Sequence, residues 1–261
     1  MTRGDLPLFF PGDAKAAGMW YTLLTIQSGR KCFMPQKTGF HGQTSDSFRA
    51  ALFLILSGGF QDAYTYCNRG RVFANAQTGN IVLMSTHLFE GQWGEAVKYL
   101  IPLAAFILGT VASEWMHIRL KGCRRLHWRQ TVLLLEMGIL LAVPFLPHGL
   151  DPLANGLVSF VCALQLQAFH KIRGHAYAST MCIGNMRSGT EALCTYLHTR
   201  DKAFLHKSLT YFAVIGVFAV GAGLGSYMTN RLGEGALWVC CGLLLVSFLM
   251  MFARETPEQT R

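Results

Sequence analysis

The sequence predicts an all-α polytopic membrane protein made of two structural repeats, and three observations carry that prediction. The chain of 261 residues is 51% hydrophobic and only 14% charged, whereas soluble domains carry about 25% charged residues. Apolar runs long enough to cross a bilayer, about 20 residues each, recur from Phe48 to Ala253. Two intervening stretches share a polar pattern 105 positions apart, Val72-Phe73-Ala74-Asn75-Ala76-Gln77-Thr78-Gly79-Asn80 and Ala178-Ser179-Thr180-Met181-Cys182-Ile183-Gly184-Asn185. Hydrocarbon tolerates no unsatisfied backbone N–H or C=O. A Gly-Asn break at membrane depth must therefore be buried in protein or line a wet cavity.

Residues 1–45 are Gly-rich and contain Pro7, Pro11 and Pro35. They read as a mobile cytoplasmic extension without a signal-peptide pattern, and Met34 offers a second start near the first helix. Residues 46–150 form the first repeat. Phe48 to Tyr66 is its first crossing, ending in the polar pair Gln61 and Asp62. The first broken stretch follows and continues as a helix from Ile81 to Phe89. Val97 to Leu120 and Thr131 to Leu146 complete the repeat. Residues 151–261 form the second repeat and a short tail, with helices at Leu153 to Phe169, Ser208 to Tyr227 and Ala236 to Ala253. An offset of 105 pairs Ala63 with Ala168, Gly79 with Gly184 and Asn80 with Asn185. After a short insertion, an offset of 112 pairs Gly109 with Gly221, Met116 with Met228 and Arg119-Leu120 with Arg231-Leu232.

Charge selects the topology. With eight crossings the lysines and arginines divide 12 against 10 between the two sides, which is no bias. With both broken stretches entering and leaving on one face, they divide 18 against 4, Arg187 being left out. Basic loops stay in the cytoplasm, so three crossings per repeat are favoured over four plus four, with both termini cytoplasmic. Three is odd, so the second repeat is inverted relative to the first. Inverted repeats with interrupted helices are a common plan of secondary transporters.

The same charge rule accounts for the net charge of +9 without nucleic acid. Eight cysteines show neither CxxC nor metal-ligand spacing. They indicate no metal, no disulfide framework and no cofactor.

Helix starts present unpaired N–H groups and a partial positive charge. Thr78 or Asn80 can cap the helix of the first repeat, and Ser188-Gly189-Thr190-Glu191 has the capping-box pattern in the second. Two such starts facing each other at the midplane favour an anionic solute. The substrate-binding candidates are therefore Asn75, Thr78, Gly79, Asn80, Gly184, Asn185, Arg187 and Glu191. The structural alternative is that Gly-Asn merely allows close helix crossing. Arg187 and Glu191, four apart, share a helical face. Glu136 stands alone among leucines, and Asp62 sits at the end of the first helix. Both are candidate proton carriers, because carboxyls at membrane depth mark proton paths.

The patterns Gly59-Phe60-Gln61-Asp62-Ala63 and Val72 to Asn80 resemble the signature of the YoaK-like family of bacterial polytopic membrane proteins, the domain-of-unknown-function family 1275. The resemblance runs from about residue 46 to the C-terminus. It implies a polytopic cytoplasmic-membrane protein with no established substrate. Three functions fit: a secondary transporter of a small, anionic solute; a scaffold or partner-binding subunit; and an ion channel. An enzyme is least favoured, since no GxSxG, HExxH, P-loop or dinucleotide fingerprint is present. The expected partners are the lipid bilayer, a small solute or ion, and a second copy in a homo-oligomer.

Overall fold

The computed structural model describes residues 48–120, 128–169, 171–172, 175–176 and 182–252, all within the compact unit Gly42–Arg261. The N-terminal extension, the basic positions 121–125, the start of the second break and the C-terminal tail lie outside the described residues. Eight helices are described: α1 Phe48–Asn68, α2 Gln77–Phe89, α3 Trp93–Leu120, α4 Trp128–Ala142, α5 Asp151–Ala168, α6 Cys182–Thr199, α7 Lys202–Leu232 and α8 Leu237–Phe252. The only strand pairing among the described residues is a two-residue antiparallel contact of Lys171–Ile172 with His175–Ala176.

Among the described residues, four stretches are long and apolar enough to cross a membrane: Trp93–Arg119, Trp128–Phe145, His148–Ala168 and Lys202–Met251. The last holds both α7 and α8, joined by a turn in which Gly233 takes φ +56. Many large side chains point outward, among them Leu108, Val111, Ile118, Val220 and Leu249. Exposed apolar faces of this extent belong against lipid. The first helix, α1, is not among the four stretches. Its 21 residues span about 31 Å, but Ser57, Gln61, Asp62 and Thr65 line it, all of them buried. It tolerates them because α5, α7 and α8 pack around it and no lipid reaches that face.

The helix directions follow from specific contacts. In α1 and α5, Gln61 meets Cys162 and Leu54 meets Gln165, so the two run antiparallel. In α1 and α7, Leu56 lies at Gly221 and Phe60 at Gly225, so they run parallel. Helices α3 and α5 are parallel too: Gly156 sits against Ile101, Gly109 against Phe160, and Ser113 donates to the Leu164 carbonyl. Helix α8 is antiparallel to α1, through Cys240 at the Ser57 carbonyl and Ser247 at the Ala50 carbonyl. It is also antiparallel to α4, through Trp238 at the Leu141 carbonyl and Cys241 at the Met137 carbonyl. The crossings use glycine for close approach. A Cβ built on Gly221 falls 2.2 Å from the Leu56 carbonyl oxygen, and one built on Gly109 falls 2.4 Å from that of Phe160. The apolar core joins Leu54, Phe60 and Tyr64 of α1 to Leu133, Leu140, Val158, Leu164 and Leu244 of α4, α5 and α8.

Candidate functional site

The first broken stretch is a re-entrant loop. Helix α1 ends at Asn68, and Gly70 (φ +82) and Arg71 (φ +62) take left-handed backbone. Glycine is at home there, while a left-handed arginine costs about 1–2 kcal/mol. These two residues reverse the chain, which runs back along α1. Asn75 then donates Nδ2 to the carbonyl of Gly58, 3.2 Å away. Gly58 lies ten residues before the end of α1, about 15 Å along its axis. The loop thus descends to the middle of the helix before α2 begins at Gln77 and climbs back beside α3.

The motif residues build this loop. Asn80 grips the backbone of Phe73 twice: its Oδ1 accepts the Phe73 N–H at 3.1 Å, and its Nδ2 donates to the Phe73 carbonyl at 2.7 Å. Gly79 leaves room for the Phe73 ring, 3.2 Å from a Cβ built there, and that ring stacks on Tyr66 with centroids 4.9 Å apart. Gln77 and Ser159 both donate to the Ala74 carbonyl, each at 2.8 Å. Asp62 Oδ1 accepts the Asn75 N–H at 2.7 Å. The Phe73 N–H and C=O, the Ala74 C=O and the Asn75 N–H are thus each met by a side chain, as hydrocarbon requires of a broken backbone. Asn80→Ala removes both grips on Phe73. At about 1 kcal/mol per bond the loss is about 2 kcal/mol, read as a lower unfolding midpoint of the purified protein in detergent.

Several sequence expectations are corrected. The helix starts at Gln77, so Gly79 and Asn80 lie inside its first turn. Ala76 is the N-cap and makes no side-chain cap bond, so neither Thr78 nor Asn80 caps the helix. Thr78 is exposed. In the second half α6 starts at Cys182, so Gly184 and Asn185 are again in a first turn, and residues 188–191 sit mid-helix rather than at a capping box. Asn80's longer-range task, stapling a residue seven positions back, outweighed the local cap. Asn185 is buried and Gly184 is exposed. The start of that break, residues 178–181, lies outside the described residues. Arg187 and Glu191 pair at 2.8 Å but are 81% and 62% exposed, on an outward face of α6. Helix α2 packs on α3 and α6 on α7, and the two do not form a packed pair with each other.

Behind the loop lies a buried polar cluster. Gln61 Nε2 donates to Ser57 Oγ at 3.0 Å and to Glu136 Oε1 at 3.3 Å, and Cys162 donates to Gln61 Oε1 at 2.8 Å. Glu136 is fully buried. Its Oε2 and the Oδ1 of Asn75 have no hydrogen-bond partner among the described residues. No lysine or arginine among those residues pairs with Glu136. Of the two carboxyl candidates, Asp62 is committed to the loop backbone and Glu136 keeps an oxygen free.

Arg69, a charge just past the end of α1, is fully buried. All five of its N–H groups are used. Nε donates to Tyr64 at 3.1 Å. Nη1 donates to the Leu146 carbonyl and to Asp151, both at 2.9 Å. Nη2 donates to the Val143 carbonyl at 3.2 Å and pairs with Glu234. His148 bridges the two acids, with Nε2 2.9 Å from Glu234 and Nδ1 3.4 Å from Asp151. This knot ties α1 to the ends of α4 and α7 and the start of α5. No sequence spacing announces it, because its members are 82 and 165 positions apart. The available hint was two acids, Asp151 and Glu234, on the face where basic residues are scarce.

Neither the curated proteins nor the solved structures include a match to this chain. Residues 50–250 match the model of a family described as "Protein of unknown function (DUF1275)". That span holds the re-entrant loop, the buried polar cluster and the Arg69 knot, and the chain belongs to this family.

Proposed function

We propose that this protein is a secondary transporter of a small solute, built from two inverted repeats of three crossings, α1, α3 and α4 against α5, α7 and α8. The observation that carries the reading is the loop brought back to the middle of α1 beside a buried carboxyl with one oxygen unpartnered among the described residues. The helix contacts support the repeat. Exchanging the halves maps α1 on α7 onto α5 on α3, α1 on α8 onto α5 on α4, and α2 on α3 onto α6 on α7. The pairs α1 with α5 and α4 with α8 map onto themselves and run antiparallel, which suits a two-fold axis lying in the membrane plane. The inner-membrane location and cytoplasmic termini belong to the same proposal.

Glu136 is the candidate carrier of the coupling proton. An intramembrane acid without a cation partner is expensive unless it has such a role. Asn75, whose buried Oδ1 has no partner among the described residues, is the candidate solute contact. Asn185, Arg187 and Glu191 remain candidates for the opposite half-site. Proteoliposomes under an imposed pH gradient test the reading. Uptake of a solute is expected, and Glu136→Gln is expected to abolish its dependence on the gradient. Gradient-driven uptake that survives this change removes Glu136 from the mechanism. One observation favours a second reading, a non-transporting scaffold: Asn80 spends its hydrogen bonds within the loop, and Gln77 within it and on Ser159 of α5. Under that reading no solute moves in either protein.

A further inference from the structure

We propose that the Arg69 knot is a gate, a charged latch that shuts one face of the protein over the buried polar cluster and opens without unfolding the helices it joins. The gate deepens the transporter reading and rests on it only for what passes through. The latch joins the two proposed repeats. Tyr64, Arg69 and the Val143 and Leu146 carbonyls belong to the first, and Asp151 and Glu234 to the second. All meet at one end of the bundle, where α1 and α4 stop, α5 starts and α7 turns into α8.

The knot stands where the way inward is closed. A cavity of about 230 Å³ runs from the exposed His148 to Val72 and Asn155, with Arg69 in its wall. Val72 and Asn155 are each 1% exposed. Val72 lies three residues before Asn75 on the re-entrant loop. Asn155 lies seven residues before Cys162, about 10 Å along α5, and Cys162 bonds Gln61 in the polar cluster. Beyond the cavity Ala74, Ser159 and Cys162 are all buried. Water that enters the cavity therefore stops at the knot, one layer short of the cluster.

Its chemistry suits a joint that opens. Apolar packing at this place would hold at least as firmly, because a buried ion pair does no better than break even against it. Charged groups, unlike leucines, can be released into water. Asp151 and Glu234 keep 21% and 32% side-chain exposure, and His148, which bridges them, keeps 66%. The carriers of these groups are element ends. Asp151 follows the 3-10 turns Val143–Phe145 and His148–Leu150, and Glu234 rides in the 3-10 turn Gly233–Ala236. Arg69 precedes Gly70, with its left-handed backbone. Such positions absorb the dihedral changes of a hinge movement. Exchanging the halves does not regenerate the charges either. The offsets of 105 and 112 pair Arg69 with Gly174 and Glu234 with Gly122. A fastening that each repeat needed in order to fold would recur in both, whereas this one belongs to a single face.

Thiol labelling and hydrogen exchange of the full chain in detergent, both read by peptide mass, test the gate. The native Cys162 is the reporter, and the reagent is a water-soluble cationic methanethiosulfonate. In the parent protein Cys162 is expected to react slowly. His148→Ala and Glu234→Gln each remove one hold on the knot. Each is expected to speed Cys162 labelling at least about ten-fold and to speed exchange of the amides of residues 143–150. Exchange at 158–164 and 244–248 is expected to stay unchanged, because a local opening leaves the core closed. Lys98→Gln, which alters the cavity wall outside the knot, is expected to change neither readout. Faster exchange at 143–150 with Cys162 still protected makes the knot a structural tie and overturns the gate. Exchange that rises in every segment together is unfolding and overturns it too, as does no change in either variant. Cys162 released by these variants, with no solute taken up in proteoliposomes, leaves the gate and removes the transporter reading. Uptake with Cys162 labelling unmoved does the reverse.

Discussion

Arg69→Gln is expected to be among the most damaging single substitutions in the chain, lowering stability by about 3 kcal/mol. Breaking a buried ion pair from one side costs about 3–5 kcal/mol, because the other charge is left without a partner. The lower figure applies since Asp151 and Glu234 keep 21% and 32% side-chain exposure, and water can still reach them. The change also strips donors from the Val143 and Leu146 carbonyls, which lie at the end of α4 where the helix gives way to a 3-10 turn. Lysine should rescue little, because an ammonium cannot present the planar fork that reaches five acceptors. Asp151→Asn should be milder, since Asn keeps an acceptor oxygen for Nη1. Denaturant titration of the purified protein in micelles reads all three. An Arg69→Lys protein as stable as the parent would show that charge alone, and not the fork, holds this end of the bundle.

The knot also marks how far the sequence could be read. Helix positions were legible because apolar runs of fixed length are a one-dimensional signal, and α3, α4, α5, α7 and α8 fall where the hydropathy puts them. The Val72 to Asn80 motif was legible as a break for a related reason: four polar side chains at membrane depth must be answered by backbone or protein. What they answer was not legible. Asn80 was expected to cap a helix or meet a solute, since those are the local and the functional uses of an exposed amide. Its real partner, the Phe73 backbone, becomes available only once the chain has turned back at Gly70. The same holds for Arg69, which counts as a loop charge by position. Its burial depends on Asp151 and Glu234 arriving from distant segments, and pairing of that kind leaves no trace in spacing. With Arg187 and Glu191 the limit lies elsewhere. Their four-residue spacing did give a pair, yet spacing says nothing about which side of α6 faces the bundle.

The second large effect concerns the two glycine crossings, and it separates a repeat in shape from a repeat in energetics. Within a bilayer, helices gain no hydrophobic drive toward each other and depend on close backbone approach. Gly221 lets α7 reach α1, and Gly109 lets α3 reach α5. An added Cβ would stand 2.2 Å and 2.4 Å from a backbone oxygen, respectively. Neither oxygen can swing away as a flexible side chain would, so the helices must part by close to an ångström. Gly221→Ala and Gly109→Ala are each expected to cost about 3 kcal/mol, the upper end for overpacking a rigid interior. Gly221→Leu and Gly109→Leu should prevent folding. Gly223, two residues along α7 with nothing within 4 Å of its Cβ position, is the control; Gly223→Ala should be neutral or stabilising by up to about 1 kcal/mol. If the halves are equivalent in packing, the Gly109 and Gly221 substitutions must lose similar stability, since each opens the contact that the other half repeats. A silent Gly109→Ala beside a damaging Gly221→Ala would mean that only the α1–α7 crossing bears strain. The two-fold relation would then be one of outline and not of forces. Similar losses would place both crossings among the fixed points about which two inverted halves can rock.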